Sequence, residues 1–556
     1  MQMNLSSKYA KYFYTGLLLC AFLIVIYIIY HTSMNTLDSD ASSELVLAKH
    51  LAQTGRILSR DWFYSTELRV LNSQLIYAPL FMIFDNFRKV RFVGAIIMVG
   101  IMWLSYAYLS RQLKLKLNTF LVSSAILILP TSIAYARITL YHSYYAPYIS
   151  TSFLIIGLFL SVCNEKSSSP VIHYAKIIGC SVICFLSGLG GIRQLLITIS
   201  PLCLTVLAIQ FQSAHSTLKK LGLPGYVRRF RNVCDKKQKT ALYTLIPILL
   251  SAVLGYMIND YVLSNIYTFT DYNNLTLKAV SEDNGYMILN GLFSLFGYNS
   301  GVKATSVYGI LSVLSIVAFL LVAALTISAV NKREASPVRI SVAFFLSTFG
   351  INTFIFFFTK NFFPLYYIPV LVYLIPFLAV LFDAKCNKAN CNFQVKSFII
   401  KCIVVILCLN SLASAHYITK KPNDLNIEYT GLTYNNIRIV ENISGVIGFL
   451  TAQEYDYGFA AFWNSNIITE MTNDAIKTST VTNSFSEYDE WLSLRYYQDE
   501  GYFSGKAFVL FSKGDVERVQ PNSHPFYSTG QEIYSDNYYT VLHFDEVRDI
   551  QDYLKR

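Results

Sequence analysis

The chain has 556 residues, of which 54% are AVILMFWYC, 15% aromatic and only 14% charged. Soluble domains carry roughly 25% charged residues and disordered chains lack aromatics, so both classes are excluded. The net charge of +11 is uneven: residues 416–556 hold 11 basic and 20 acidic residues, the first 415 hold 34 basic and 14 acidic. The excess positive charge is interleaved with apolar runs, which excludes a nucleic-acid partner and gives a lipid bilayer as the surroundings.

A membrane helix needs about 20 mostly apolar residues. Eleven such runs are predicted: Tyr12–Tyr30, Phe92–Leu109, Thr119–Ala136, Ala146–Cys163, Ile177–Gly191, Gln194–Phe211, Thr240–Ile258, Thr305–Val330, Ile340–Phe358, Leu365–Phe382 and Ser397–Ala415. The first is too long for a cleavable signal peptide and lacks a clean small-residue cleavage site. The fifth is short and runs into Gly190-Gly191, so its end is expected to be broken or re-entrant. With a cytoplasmic N-terminus, the inside segments hold 22 basic and 4 acidic residues, and the acidic tail falls outside.

Residues 31–91 and 259–304 are then long outside loops. In the first, Leu45, Leu47, Ala48 and Leu51 suit a helix lying on the membrane, and Leu75–Phe84 suits a second. The tail alternates short strands and helices. Gly458–Trp463, Lys506–Phe511 and Tyr538–Phe544 read as strands, and Asn464 or Ser465 as the cap of a helix reaching Thr472. The expected architecture is an α-helical multi-pass membrane protein of about 11 transmembrane helices, residues 1–415, followed by a small extracytoplasmic α/β domain, residues 416–556. None of the ten cysteines lies in the tail, so no disulfide framework is expected there.

Six of the 14 acidic residues before position 416 fall in the first outside loop: Asp38, Asp40, Glu44, Asp61, Glu67 and Asp85. Asp38 and Asp40 sit just past the first span, where Asp40 would also serve as a helix cap. Asp40 stands eight residues before Ala48, and Gly55 seven after it. Trp62 follows, then Ala78-Pro79-Leu80-Phe81, then Arg88 and Arg91 before the second span. Asn361-Phe-Phe-Pro-Leu-Tyr366, preceded by Lys360, opens the tenth span. In this order and placement the motifs resemble those of the GT-C superfamily of membrane glycosyltransferases, among them protein O-mannosyltransferases and lipid A aminoarabinose transferases. The chain departs from that pattern in having Ala41 after Asp40, and His142 where many relatives carry an Asp, which weakens the case for a bound divalent metal.

The resemblance implies transfer of a sugar from a polyprenyl-phosphate donor to a hydroxyl of a surface glycan, glycolipid or protein on the extracytoplasmic face. Phosphate is already a good leaving group, so such an enzyme must deprotonate the acceptor and hold the phosphate. Asp40, with Asp38 as the alternative, is the expected base. Arg193, Arg137, Arg69 and Lys360 are the candidates for holding the phosphate. Glu67, Tyr141, His142 and Tyr366 are candidates for contacting substrate. A transporter or flippase of lipid-linked saccharide would place charges at mid-span and show internal repeats. Here the charges sit at span ends and no repeat is visible; a non-catalytic envelope assembly protein is the third reading. The Asn, Lys, Ile and Tyr richness suggests an AT-rich bacterial genome and hence an inner-membrane location.

Overall fold

The computed structural model describes residues 2–65, 68–164, 169–221, 236–269, 282–298, 302–330, 336–358, 364–385, 391–420, 437–520 and 524–554. Glu67 and Lys360 lie outside the described residues, as does the side chain of Asp38.

All eleven expected spans are helical, though not all are straight. Nine helices among the described residues are long and apolar enough to cross a membrane. They belong to α1 (Gln2–Asn35), α4 (Phe87–Leu113), α7 (Ala146–Asn164), α8 (Pro170–Leu189), α10 (Lys236–Tyr261), α12 (Val307–Val330), α13 (Ser336–Phe358), α14 (Ile368–Lys385) and α15 (Cys391–Lys420). The remaining two depart from a simple span. The third is broken after α5 (Leu117–Ile128) by 83°, at the segment containing Pro130, and resumes as the short α6 (Ile133–Tyr135) with a π-helical run, Ala136–Tyr141. Proline clashes with the preceding turn and removes a backbone donor, which ends a helix. The sixth is a π-helical run, Leu195–Ile199, leading into α9 (Ser200–Leu221), with an apolar part of only Leu195–Phe211. The span Leu365–Ala384 is the most buried of the nine and Ala146–Asn164 the next; the others keep apolar residues outward. The chain is therefore an integral membrane protein.

The first loop does not lie flat on the bilayer. Strand β1 (Thr36–Asp38) leads into α2 (Ser39–Thr54), which is buried on nearly every side, including Leu45, Leu47, Ala48 and Leu51. Its apolar surface is covered by α3 (Gln74–Phe81) and by a helix of the tail, so a helix expected at the membrane surface is a protein core element. By contrast, Leu75, Met82 and Ile83 at the second amphipathic stretch are exposed. Strand β2 (Trp62–Tyr64) pairs in parallel with β3 (Thr268–Phe269) of the second long loop, where α11 (Glu282–Leu295) also lies.

The tail folds as an α/β unit from β4 (Ile437–Ile439) and α16 (Val440–Ala452) onward. Its five-stranded sheet has the order β6 (Lys477–Val481), β5 (Tyr457–Ala461), β8 (Ala507–Ser512), β10 (Tyr539–Phe544), β9 (Gln531–Ser535). Helix α17 (Phe462–Met471) follows β5, starting before the expected caps, so that Asn464 and Ser465 are buried within it. The short β7 (Ser493–Leu494) completes the β3–β2–β7 sheet, and β4 pairs antiparallel with β1. Loop and tail thus share two sheets.

Candidate active site

The end of α8 is where the sequence places a break, and the backbone shows one. Gly190 is the cap after Leu189, and Gly191 has φ +106, a conformation that side chains resist. Asn259 of α10 donates to the carbonyl of Leu189 at 2.6 Å, satisfying a helix end that would otherwise be unpaired. The carbonyl of Leu68 in the first loop sits against Gly190, close enough that a Cβ there would touch it. The break therefore brings the first loop against the bundle.

Arg193 follows this break. Its guanidinium lies over the rings of Tyr145 and Tyr148, 5.1 and 5.2 Å from their centroids, and 5.8 Å from that of Tyr366. Ring faces attract the guanidinium electrostatically and hold it at this point. Two residues from separate sequence motifs, Arg193 and Tyr366, are thus brought together. Beside them lies a small, partly open cleft. Leu68, Leu71, Leu186 and Tyr148 give it apolar walls; Asn72, Thr151, Ser187 and Gln194 give it polar groups. Gln194 is held by a network across three elements. Its Nε2 donates to Ser152 Oγ at 2.8 Å and Thr198 Oγ1 at 3.0 Å, and Thr198 meets the Tyr373 hydroxyl at 3.2 Å.

Among the first-loop acids, Glu44, one turn beyond Asp40 on the same helix face, is deeply buried and paired. It is 4% exposed, pairs with Arg69 Nε at 2.8 Å, and accepts from Ser73 Oγ at 2.6 Å and from Gln74 Nε2. Arg69, expected at a phosphate, thus has a carboxylate partner inside the protein. Asp40 itself is half-buried in the first turn of α2, where Ser43 Oγ donates to its backbone carbonyl; it does not line the cleft. Ser39 beside it donates to the Phe462 carbonyl of the tail.

Arg137, Tyr141 and His142 form a second buried group on the π-helical run and its end. The expected outside loop is folded into the bundle there, with Arg137 only 6% exposed and the rings of Tyr141 and His142 edge to face at 4.6 Å. Both sets of candidate residues flank π-helical turns, which recur at functional sites because they aim side chains that a regular helix would not.

A further feature escapes sequence reading. Arg91 at the start of α4 makes two parallel bonds to Glu470 of α17, Nε to Oε1 at 2.7 Å and Nη2 to Oε2 at 2.5 Å. Arg91 is 1% exposed and Glu470 4%. Only the lone acid among the neutral residues of α17, and the Arg at the start of the second span, hint at it. Among the described residues no group of three His, Cys, Asp or Glu side chains is gathered as metal ligands would be.

Fold and site together define a multi-span membrane protein whose first loop meets the bundle at a small cleft at the broken end of a span and pairs with the C-terminal α/β unit. No protein-family model and no curated protein matches the chain. Among solved structures, ArnT from Cupriavidus metallidurans bound to undecaprenyl phosphate is similar over 94% of this chain and 97% of its own, at 10% identity and a TM-score of 0.45. The oligosaccharyltransferase of Archaeoglobus fulgidus, in complex with zinc and sulfate, is similar over 89% of this chain and 67% of its own, at 12% identity and a TM-score of 0.44. AglB of the same organism, in complex with an inhibitory peptide and a dolichol-phosphate, matches 90% of this chain and 69% of its own, at 12% identity and a TM-score of 0.42. At such identities the likeness is one of fold.

Proposed function

We propose that the protein is a glycosyltransferase that moves a sugar from a polyprenyl phosphate to a hydroxyl of a glycan, glycolipid or protein acceptor at the extracytoplasmic face of the bacterial inner membrane. The observation that carries this reading is Arg193, held among the rings of three tyrosines at a broken span end beside a small cleft lined by neutral residues. The order of first-loop and tenth-span motifs supports it independently.

In this reading the acceptor oxygen forms a bond to the anomeric carbon as the bond from that carbon to the phosphate oxygen breaks. The hydroxyl proton passes to the Asp40 carboxylate, or to Asp38. The leaving polyprenyl phosphate gains negative charge, which the Arg193 guanidinium offsets through its fork of donors. Arg69 serves to hold Glu44 and the loop, leaving Arg193 as the clamp and Arg137 the reserve candidate. The test is turnover of a polyprenyl-phosphate sugar by the purified chain in lipid nanodiscs. Asp40→Asn lowers it by roughly 10²-fold or more while donor still binds. A folded Asp40→Asn protein with parental turnover, together with a parental Asp38→Asn, removes the first-loop base from the mechanism.

A further inference from the structure

We propose that α3, a helix too short to cross the membrane, lies within the lipid leaflet on the first-loop side, with Leu75, Pro79, Met82 and Ile83 turned toward acyl chains. This placement is independent of the reaction proposed above and needs only that α4 spans the bilayer.

From Gln74 to Phe84 the chain carries no charged residue. Helical geometry continues past Phe81: Met82 keeps α-helical angles, and the amides of Ile83 and Phe84 donate to the Leu80 carbonyl. On one face, Tyr77 and Leu80 are buried in a core shared with α2 and α4. On the opposite face, Leu75, Pro79, Met82 and Ile83 recur at helical spacing and are exposed, Leu75 by 46%, Met82 by 67% and Ile83 by 71%. A helix between protein and water turns polar residues outward, whereas one that is apolar all round is surrounded by protein or by lipid. Here protein covers one side only.

Depth decides what covers the other. Helix α4 carries Arg88, Lys89 and Arg91 near its start and Arg111 near its end. The apolar run between them, Phe92–Leu109, rises about 27 Å at 1.5 Å per residue, close to the ~30 Å of a hydrocarbon core. Phe92 therefore marks the edge of the hydrocarbon. Gly94 lies further in, and Tyr77 and Leu80 pack on it: a Cβ there would overlap the Tyr77 ring and touch Leu80. Helix α3 is thus held where hydrocarbon gives way to headgroups, and its outward face meets lipid. The exposed Arg88 and Lys89 stand about one turn above Phe92, at the level of lipid phosphates.

The test places a tryptophan on this face of the full chain in nanodiscs. Trp103→Phe removes the tryptophan of α4; the other three, Trp62, Trp463 and Trp491, lie in the first loop and tail and set the baseline. In that background Ile83→Trp should add fluorescence that is quenched by lipid brominated near the carbonyl end of its acyl chains and less by lipid brominated at the chain ends. Aqueous iodide should quench it roughly five-fold less than it quenches free tryptophan. Leu75→Trp, toward the other end of the face, should behave alike and carries the test if Ile83→Trp does not fold. Added fluorescence that iodide quenches as it does free tryptophan, with no response to brominated lipid, overturns the proposal. Stronger quenching by the chain-end bromines overturns it too, because α3 would then lie deep in the hydrocarbon.

Discussion

The Arg91–Glu470 pair should decide whether the tail is docked. Three sets of contacts join the start of α4 to the tail. Lys49 lies 3.4 Å from Asp85 and 3.5 Å from Asp474, at the rim. Asn473 accepts from the Phe87 amide and donates to the Asp85 carbonyl, both at 3.0 Å. A partly exposed ion pair contributes about 0–1 kcal/mol and a neutral hydrogen bond about 1 kcal/mol. The bidentate pair is different in kind, because removing one partner of a buried pair strands the other charge away from water, at about 3–5 kcal/mol. Glu470→Ala should therefore raise the opening of α17 by roughly 10²- to 10⁴-fold. Hydrogen exchange of the α17 amides in nanodiscs measures this directly. Arg91→Met alone should act likewise, whereas Arg91→Met with Glu470→Leu, which leaves no stranded charge, should recover most of the loss. Acceleration below about five-fold in the Glu470→Ala protein, or a double variant as labile as the two single losses added together, would refute the argument.

Arg193→Lys keeps charge and reach but not the planar fork, so turnover should fall strongly, and Arg193→Ala should also weaken binding of bare polyprenyl phosphate; parental behaviour of both would make Arg193 structural. At the α8–α10 crossing, a Cβ on Gly188 would meet the backbone of Ala252 and one on Gly255 the carbonyl of Phe185. Gly188→Val should thus lower thermal stability by about 1–3 kcal/mol and, by shifting the broken end of α8, weaken donor binding as well, both readable in one melting series with and without lipid. In the tail, burial and then Glu487 push the Asp489 carboxyl up to about 6 from an ordinary 3.8. The folded state therefore favours its protonated form, and its contribution to stability declines as pH rises between about 4 and 6. Asp489→Asn should flatten that decline, raising the melting point near pH 7 and leaving it unchanged near pH 3.5; an equal shift at both would deny Asp489 the role.

The bundle was legible because each span must be apolar over its full length, and that signal is local. So was the break at Gly190-Gly191, and so were the tail strands around Phe459, Val509 and Val541, whose apolar runs end at polar residues. What stayed hidden is long-range. Arg91 and Glu470 are 379 positions apart, and β1 pairs with a strand about 400 positions away. Neither periodicity nor composition encodes such a partner. The same cause explains α2: its amphipathic pattern is that of a membrane-surface helix until α17 covers it. Pro130 lies inside the apolar run Thr119–Ala136, and hydropathy alone does not register the bend it causes. Arg193 and Tyr366 were each singled out by separate motifs, but their meeting over one guanidinium was not readable from either.

The proposed reaction differs from transport in breaking the bond between sugar and phosphate. The measurement that separates the two uses the purified chain in sealed liposomes carrying a radiolabelled polyprenyl-phosphate sugar and an extract of bacterial surface glycan. The account predicts one bare polyprenyl phosphate formed per sugar transferred, abolished by Asp40→Asn. Labelled donor that crosses to the opposite leaflet intact, with no polyprenyl phosphate released, would contradict it.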